Sequence, residues 1–491
     1  MRASTPRSHD LEISGLSALV GRILSMEEWA ERLRIPDQKT EGILSGKRIT
    51  EILGVEGKSW DPDLFGEPST IAAVAKAALA SARLKASDVE ALIVVTCTPY
   101  EIMLGQDGFR LARDLKLNDD VPAIQLEAGC GGLGRAMSVA ASMASRTTLV
   151  VAYNVVSPIV ERRGPNPLYQ QNDIHPLGRL TWASGALFSD GAAAMVLRRT
   201  GEASGLWFYS RDQQAFGDRP GFEDPIVHYP GGGALFPPGY PDHEGRTCFA
   251  MSGKIIADYY NTGMVLNHQT LLRARPGYVE EVKRIYSHQA GPALVRSFVE
   301  LAKVPADKVP TSAARLGNLV GPCTLHLMHE DIEAGVLRPG DEVCVSVIGA
   351  GPERGAFLAR NQGRDRAPVS LPITRTVAYK PLRVARWTQR HRMGISIRLV
   401  PTPCTRPSGC SFPGSETTSA APAYSRTIAI HPSRIPSKSS AKSEGKPCTM
   451  NVADEGPRGT TSADPNEKYW CHTRGMKLIA EWGDVSFNRN L

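Results

Sequence analysis

Four short apolar runs stand out in the pattern of hydrophobic and polar positions along the chain. Each is a continuous stretch rich in Val, Ile, Leu and Ala with no alternation of polar residues, which is typical of strands buried on both faces of a sheet. The runs are Ala91–Cys97, Pro122–Leu126, Thr148–Tyr153 and Glu342–Ile348.

Helical patterns lie between these predicted strands. The Ala-rich segment from Ser69 to Leu84 has Ser69 and Thr70 as N-cap candidates. A second helix is predicted over Ala293 to Lys303, opened by Pro292, and it places Leu294, Phe298 and Leu301 on one apolar stripe. Strands that alternate with helices predict an α/β fold with covered sheets.

The predicted elements form two clusters, near residues 50–200 and 250–360, and these suggest two halves that duplicate one another. We therefore divide the chain into a first half over 1–200 and a second half over 251–360. The stretch 201–250 between them is rich in Gly, Pro and aromatic residues, which indicates an ordered insertion or a lid.

The remaining segment, 361–491, differs from the rest in composition. It carries a net charge of +11, so that residues 1–360 hold −4 of the total of +7, and it contains 13 prolines. No helical or strand period is sustained in it, and we expect a largely disordered tail. Its basic residues are dispersed, which favours a solvated tail over nucleic-acid binding. Its cysteines lack the short paired spacing of a structural zinc site.

Length and cysteine usage narrow the class of protein further. A chain of 491 residues can bury more than one core, and its nine cysteines without close pairs predict reduced thiols in the cytoplasm. The longest apolar stretch without a charge, Thr147 to Val160, is shorter than the roughly 18 residues that span a bilayer. We therefore expect no membrane association.

The segment around Cys130 is the strongest chemical signal. A predicted strand ends, Cys130 follows within a Gly-Cys-Gly-Gly turn, and a helix of small residues begins. A thiol at a helix N-terminus is close to the positive end of the macrodipole and to free amides, so the pattern predicts an activated nucleophile. The alternative interpretation of Cys130 is an inert buried cysteine with no catalytic role. The flanking glycines favour the nucleophile because bare backbone leaves room for a substrate.

Six segments together resemble ketoacyl-acyl carrier protein synthase III, in the order found in that family. They span nearly all of residues 10–360: Asp88–Pro99, the Cys130 turn, Leu187–Val196, Ser287–Ala290, Leu316–Asn318 and Arg338–Gly351. The resemblance implies the thiolase-like fold, in which two similar βαβαβαββ halves form five layers, α/β/α/β/α. It also implies a homodimer with a buried site that is reached by a tunnel.

The resemblance further implies a catalytic set of Cys130, His288 and Asn318. Cys130 would take an acyl group from a thioester, and a malonyl group on an acyl carrier protein would then lose carbon dioxide. His288 and Asn318 would stabilise the resulting enolate, and backbone amides of Cys130 and of the loop Gly349, Ala350 and Gly351 would form the oxyanion hole. No tightly bound cofactor and no metal is implied; the substrate would be an acyl-coenzyme A or acyl-carrier-protein thioester.

Departures from the family pattern concern the substrate. Gly291 stands where the family commonly has Asn, and Ala293 where it has Arg, which weakens recognition of coenzyme A and favours a carrier-bound donor. Arg179 and Trp182 are alternative equivalents of another nucleotide contact. Flexible aliphatic side chains at Met103 and Leu104 occupy the acyl-pocket position and predict a different acyl group.

Three functions remain open on the sequence. The first is decarboxylative condensation in fatty acid or polyketide-type specialised biosynthesis. The second is acyl transfer through the same cysteine to a carrier protein, hydroxyl or amine without a new carbon–carbon bond. The third is a non-catalytic dimer partner, which the presence of Cys130, His288 and Asn318 disfavours. The Gly349–Gly355 segment has the wrong spacing for dinucleotide binding, and Ser189 lacks the Gly-x-Ser-x-Gly elbow of a serine hydrolase.

Overall fold

The computed structural model describes most of the first 363 residues and two short segments beyond them. The described residues are 5–34, 37, 42–102, 106–161, 181–212, 226–228, 233–234, 237, 250–251, 253–363, 398–401 and 476–479. The chain divides into two compact units, Met1–Thr374 and Arg375–Leu491. Within the described residues of the second unit, two strands, Arg398–Pro401 and Met476–Ile479, pair antiparallel.

The first unit contains two five-stranded mixed sheets. The first sheet has the order β2-β8-β7-β5-β6, in which β6, β5 and β7 are parallel and β8 and β2 are antiparallel to their neighbours. Its strands are β2 (Leu11–Val20), β5 (Ala91–Thr96), β6 (Ala123–Glu127), β7 (Thr147–Asn154) and β8 (Gly191–Arg199).

The second sheet has the order β1-β9-β14-β13-β12. Its β12 and β13 are parallel, whereas β14, β9 and β1 follow antiparallel to one another. Its strands are β1 (Arg7–His9), β9 (Gly205–Arg211), β12 (Arg284–Ser287), β13 (Glu342–Gly349) and β14 (Glu353–Arg360).

Short strands form two further antiparallel pairs, and helices connect the sheets. The pairs join β3 (Ile23–Ser25) to β4 (Gly57–Ser59) and β10 (Val227–His228) to β11 (Ala250–Met251). The described α-helices are Met26–Leu33, Gly46–Leu53, Ser69–Ser81, Gln106–Leu115, Gly132–Ser142, Ser157–Glu161, Thr181–Leu187, Gly253–Ala274, Tyr278–Glu281, Pro292–Ala302, Ala313–Leu316 and Cys323–Glu333. Within the described residues, no helix combines the length and apolar character needed to cross a membrane.

Strand periodicity divides each sheet between two cores. In β5, Ile93 and Val95 point into the core between the sheets, and Leu92 and Val94 point into the core on the outer face of the first sheet. Because successive side chains of a strand point to opposite faces, an apolar residue at every position is what a sheet covered on both sides requires. The apolar runs Ala91–Cys97, Thr148–Tyr153 and Glu342–Ile348 follow from this arrangement. The fourth run, Pro122–Leu126, was expected to be buried on both faces, but it forms β6 at the edge of the sheet, where its residues are only partly buried.

Two helices fill the space between the sheets, and we call them the first middle helix (Gly132–Ser142) and the second middle helix (Cys323–Glu333). Leu133 and Met137 of the first helix and Leu325 and Met328 of the second are buried in the same central core. The outer core of the first sheet is covered by the helices Ser69–Ser81 and Gln106–Leu115, and that of the second by Gly253–Ala274 and Pro292–Ala302. The five-layered α/β/α/β/α arrangement predicted from the family resemblance is therefore confirmed.

The two halves share one topology. The strands β5-β7-β8-β2 are joined by one parallel and two antiparallel pairings, and β12-β13-β14-β9 repeat the same sequence of pairings. A middle helix precedes the second strand of each series, β7 in one half and β13 in the other. The expectation of two similar halves agrees with this repeat.

The structure differs from the sequence expectations in three places. Strand β9 lies within the segment interpreted as an insertion, and β1 lies in the first 200 residues, yet both belong to the second sheet. Pro68, not Ser69 or Thr70, occupies the N-cap position, because the Thr70 hydroxyl donates to the Leu64 carbonyl instead. Leu301 is 54% exposed, since the buried stripe of its helix runs through Val295, Phe298 and Ala302. The other residues of 201–250 and 361–491 predicted as a lid and a disordered tail lie largely outside the described residues.

Candidate active site

The three residues singled out by the sequence lie on one cavity. Cys130 comes from the first half, and His288 and Asn318 come from the second. His288 and Asn318 follow Cys130 by more than 150 residues in the chain, yet they line the same cavity. The rest of the described wall is mainly apolar, with side chains of Leu187, Phe188, Ile226, Val227, Ile256 and Ile348. A concave, mainly apolar wall with a few converging polar groups is the usual form of a small-molecule site.

Cys130 lies between the end of β6 and the start of the first middle helix. Gly131 is the N-cap residue of that helix, and the Gly132 amide donates to the Gly129 carbonyl, so the chain turns tightly around the thiol. The location at a helix N-terminus agrees with the sequence interpretation. It gives the thiol nearby backbone amides and the positive end of a helix dipole.

The flanking glycines are explained by contacts with the protein itself. A Cβ atom on Gly131 would lie 2.6 Å from Cγ of Glu353, and one on Gly132 would lie 2.3 Å from Cγ1 of Val95. Both distances are far inside ordinary van der Waals contact. The sequence interpretation assigned this bare backbone to substrate access, whereas the described contacts account for it by packing against Glu353 of the second half and Val95 of the first half.

Burial controls the acidity of the Cys130 thiol. Desolvation raises the pKa of Cys130 well above its usual value, with smaller contributions from Cys97 and Cys323. A hydrogen bond from the Asn318 side chain lowers this pKa, as does the backbone amide of Cys130. The sequence predicted a thiolate favoured by the helix dipole, but loss of solvation is the larger effect, and the free site holds a neutral thiol.

His288 follows the last residue of β12 and is 2% exposed. Its backbone amide donates to the Ser346 carbonyl at 2.9 Å, and the Tyr260 hydroxyl donates to its carbonyl at 2.6 Å. Its Nδ1 lies 3.2 Å from Sγ of Cys323. Burial lowers the pKa of His288 to about 3, so the imidazole is neutral at physiological pH.

Asn318 is fixed through both its backbone and its side chain. Its amide donates to the Leu187 carbonyl at 2.8 Å and its carbonyl accepts from the Ser189 amide at 2.9 Å. Its Oδ1 accepts from the Val320 amide at 2.8 Å, which leaves the side-chain NH₂ to donate toward Cys130. Gly317 before it has φ +69°, and a Cβ there would lie 2.3 Å from the Ser189 hydroxyl, so glycine is required.

The loop after β13 brings backbone to the same cavity. Gly349 and Ala350 are part of the wall, and a Cβ on Gly349 would lie 2.4 Å from the backbone nitrogen of Gly131. Gly351, the third residue of the predicted oxyanion loop, precedes a cis peptide bond to Pro352. The buried Glu353 then accepts from Arg135 of the first middle helix at 3.0 Å, so an ion pair joins this loop to the Cys130 turn.

Several residues of the site have no signal in the sequence. Tyr259 and Tyr260 line the cavity, but their hydroxyls bind Asp212 and the His288 carbonyl, so that mainly ring surface remains for the wall. Helix periodicity alone marks them as core residues. The sequence also gives no signal for the contact of Cys323 with His288, because a cysteine at the start of a buried helix looks like any core residue.

Lys58 is another buried residue that the sequence analysis overlooked. Its ammonium group donates to the carbonyls of Gly185, Ala186 and Phe188, and it lies 4.5 Å and 4.4 Å from the ring centres of Trp29 and Trp60. Burial lowers the pKa of Lys58 and Asp190 opposes this shift. Three carbonyl acceptors match the three N–H groups of the charged form. Lys58 thereby holds the Leu187–Ser189 segment that binds Asn318.

Of the remaining predicted site residues the structure describes only Trp182, which is not part of the described wall. Met103, Leu104 and Arg179 lie outside the described residues. Trp182 is partly buried and packs against the apolar cluster around Trp29. The proposed roles of Met103, Leu104 and Arg179 therefore stay predictions. Trp182 is a packing residue in this structure.

No metal site emerges from the part of the chain that the structure describes. It contains no group of three or more His, Cys, Asp or Glu side chains arranged to hold an ion. His326 is buried on the second middle helix and lies 3.8 Å from Glu330. The four described cysteines, Cys97, Cys130, Cys323 and Cys344, are free thiols.

Comparison with known proteins agrees with this fold. The family model described as 3-oxoacyl-[acyl-carrier-protein (ACP)] synthase III C terminal matches residues 272–361. Beta-ketoacyl-[acyl-carrier-protein] synthase III of Roseiflexus castenholzii is 27% identical over 293 residues, covering 57% of this chain and 78% of the relative. The synthase III of Syntrophomonas wolfei is 25% identical over 362 residues, covering 72% and 98%.

Solved structures show the same fold. The 3-oxoacyl-(acyl carrier protein) synthase III of Pseudomonas aeruginosa matches with a TM-score of 0.57 and 22% identity, over 74% of this chain and 100% of that one. OleA of Xanthomonas campestris, solved with bound lauric acid and lauroyl-CoA, matches with a TM-score of 0.56 and 19% identity, over 72% and 100%.

The five layers and the paired halves are those of the thiolase-like fold. The matching family model and the similar relatives support the resemblance of this chain to the ketoacyl-acyl carrier protein synthase III family.

Proposed function

We propose that Cys130 takes an acyl group from a thioester and that the acyl-enzyme then condenses with a malonyl group on an acyl carrier protein. One observation carries this proposal: a thiol, a neutral imidazole and a carboxamide from distant parts of the chain line one apolar cavity. The first step breaks the thioester of the donor, forms a Cys130 thioester and releases the donor thiol.

The second step forms the carbon–carbon bond. The malonyl group loses carbon dioxide, its α-carbon attacks the acyl carbonyl, and the Cys130 thiol is released with the new 3-oxoacyl chain on the carrier protein. His288 and Asn318 donate hydrogen bonds to the thioester oxygen, on which the enolate charge develops. The low pKa of His288, about 3, supports a neutral hydrogen-bond donor in place of a charged one.

Negative charge also develops on the acyl carbonyl when it is attacked. The amides of Cys130 and of the Gly349, Ala350 and Gly351 loop are the proposed donors for this oxyanion. Support comes from the close approach of Gly349 to the Cys130 turn and from the ion pair of Glu353 with Arg135, which holds the two segments together. A donor set held rigidly before reaction is what gives such sites their effect.

The donor is proposed to be an apolar acyl group, delivered by a carrier protein or by coenzyme A. The described wall around Cys130 presents apolar side chains and the rings of Tyr259 and Tyr260. Ala293 is exposed and supplies no positive charge for a nucleotide, which favours the carrier protein. We place the reaction in fatty acid or polyketide-type biosynthesis, by a cytoplasmic homodimer without a tightly bound cofactor.

Intact-mass analysis after incubation with an acyl thioester tests the first step. We expect an adduct of one acyl group on the wild-type chain and none on Cys130→Ala. Cys344→Ala is the matched control, since it removes a buried cysteine that is not part of the described wall. An adduct that survives Cys130→Ala, or no adduct on the wild type, would contradict nucleophilic catalysis and restore the non-catalytic alternative.

Addition of malonyl-carrier protein to the isolated acyl-enzyme tests the second step. We expect release of carbon dioxide and formation of a 3-oxoacyl product in equal amounts. If the acyl group leaves for a carrier protein, hydroxyl or amine without release of carbon dioxide, the chain is an acyltransferase that uses the same thiol.

A further inference from the structure

Cys323 is the first residue of the second middle helix, and its sulfur contacts the Nδ1 atom of the His288 ring. Sγ is 3.2 Å from Nδ1, and Cys323 is 1% exposed. Among the described residues, His288 lines the cavity whereas Cys323 does not. The sulfur therefore contacts the imidazole through the nitrogen on the protein side, and Nε2 is the nitrogen left for a substrate.

The hydrogen-bond partners of Cys323 decide which way its own hydrogen points. The hydrogen-bonding atom that the structure places against the sulfur is Nδ1 of His288, at 3.2 Å. Burial raises the pKa of Cys323 to about 12, and the group remains a thiol with one S–H. Nδ1 of His288 is the acceptor within reach of that hydrogen.

The protonation of His288 decides what this contact does. A neutral imidazole carries a single N–H, on either Nδ1 or Nε2, and the hydrogen bond at one nitrogen fixes the tautomer at the other. An S–H donated to Nδ1 requires Nδ1 to be unprotonated, which leaves the hydrogen on Nε2. The opposite arrangement, with Nδ1–H donating to sulfur, would present a bare Nε2 lone pair to the enolate oxygen.

We propose that Cys323 is a positioning residue that donates its S–H to Nδ1 of His288 and holds the imidazole in the Nε2–H tautomer. Nothing in the reaction requires Cys323 to touch the substrate. This inference rests on the proposed function, because only a hydrogen-bond donor at Nε2 stabilises an enolate. It makes the thiol of Cys323 necessary for carbon–carbon bond formation and dispensable for acylation of Cys130.

Three variants of the full-length chain separate this role from packing. Cys323→Ser keeps a hydrogen-bond donor of similar size, and Cys323→Ala removes it. Cys344→Ala removes a cysteine of equal burial on β13, which packs in the outer core of the second sheet, and serves as the matched control. Rates of acylation and of condensation are measured separately for each variant.

We expect Cys323→Ala to lower the condensation rate about tenfold, which corresponds to the loss of one hydrogen bond, with acylation changed less than about twofold. Cys323→Ser should restore condensation to within about threefold of the wild type, and Cys344→Ala should leave the ratio of the two rates unchanged. Equal losses in both steps, or no loss of condensation in Cys323→Ala, would overturn the inference.

A spectroscopic readout keeps the inference testable if no condensation is found. Two-bond proton–nitrogen correlation of the ¹⁵N-histidine-labelled chain reports the tautomer, and the His288 signal is assigned by its loss in His288→Gln. Hydrogen on Nε2 in the wild type, with a mixture of tautomers in Cys323→Ala, supports the proposal. Hydrogen on Nδ1, or no change in Cys323→Ala, refutes it, whether or not the enzyme condenses malonyl groups.

Discussion

The two halves of the molecule share a frame but differ in what they bring to the cavity. In each half, a middle helix begins beside the cavity and leads into a central strand, β7 or β13. The first helix begins at Gly132, just after Cys130, and brings a thiol, whereas the second begins at Cys323 and lies next to Asn318 and His288. The duplicated topology therefore fixes where the site lies. The residues just before each middle helix decide which chemical groups that half contributes to the cavity.

The two halves also differ in how their groups respond to burial. Desolvation raises the pKa of the Cys130 thiol and lowers that of the His288 imidazole, so both groups are neutral in the resting site. An ion pair between them is disfavoured in this surrounding. Charge must therefore arise during the reaction. It develops on the Cys130 sulfur during acylation and on the substrate oxygen during condensation.

Loss of Lys58 should have the largest effect, because it disturbs the first-half segment to which Asn318 of the second half is bound. Lys58→Met leaves three buried carbonyls of the Gly185–Phe188 segment without their donor, and this segment binds Asn318. We expect the free energy of unfolding in urea to fall by about 3 kcal/mol. Lys47→Met changes an exposed lysine nearby and should cost less than about 0.5 kcal/mol. Similar losses in the two variants would show that the buried lysine is unimportant.

A Cβ where the halves touch should displace the Cys130 turn. In Gly349→Ala the new atom would lie 2.4 Å from the backbone nitrogen of Gly131, and backbone cannot turn aside as a side chain can. We expect acylation by a thioester to slow about 100-fold, as for a shift of about 1 Å in a catalytic group. Gly351→Ala adds the same atom at 3.6 Å from its nearest neighbour and should slow acylation much less. Comparable acylation in both variants would refute the close-contact argument.

The pH dependence of alkylation tests the neutral resting thiol. Because burial raises the pKa of Cys130, its thiolate is scarce at pH 7 and should increase about tenfold per pH unit toward pH 9. Intact-mass measurement of iodoacetamide labelling, corrected with Cys130→Ser, should give a logarithmic slope near one. The low pKa of His288 predicts no inflection near pH 6.5. A plateau below pH 8 would indicate a thiolate already formed in the resting enzyme.

Removal of the tail should have the smallest effect. Both sheets and the described cavity lie within residues 5–363. We expect a chain that ends at Gly363 to retain acylation and condensation rates within about twofold of the full chain. An insoluble or inactive truncation would show that the segment after Gly363 contributes to the first unit.

The sequence predicted the frame well because strand burial leaves a direct record. Runs such as Ala91–Cys97 and Glu342–Ile348 are apolar at every position, and each became a strand covered on both faces. The family resemblance supplied Cys130, His288 and Asn318, which share the cavity. Leu301 shows the limit of periodicity, since an apolar residue at the edge of a stripe can still face solvent.

Other features of the site could not be predicted because they depend on distant partners. Lys58 is a charged residue in the core, and only the three carbonyls and two indole rings around it make this possible. The pKa of Cys130 depends on the depth of burial, which local pattern does not record. The strand β9 could not be assigned to the second half, because its partners β1 and β14 lie about 200 and 140 residues away.

The division of labour between the halves is tested most directly by single-turnover kinetics of His288→Ala and Asn318→Ala. Each variant is first acylated with a labelled thioester and then given malonyl-carrier protein. We predict that acylation of Cys130 stays within about fivefold of the wild type while condensation falls by about 10²-fold or more, the cost of losing an oxyanion donor. Equal loss in both half-reactions would contradict the account, because the second half would then serve the thiol and not the enolate.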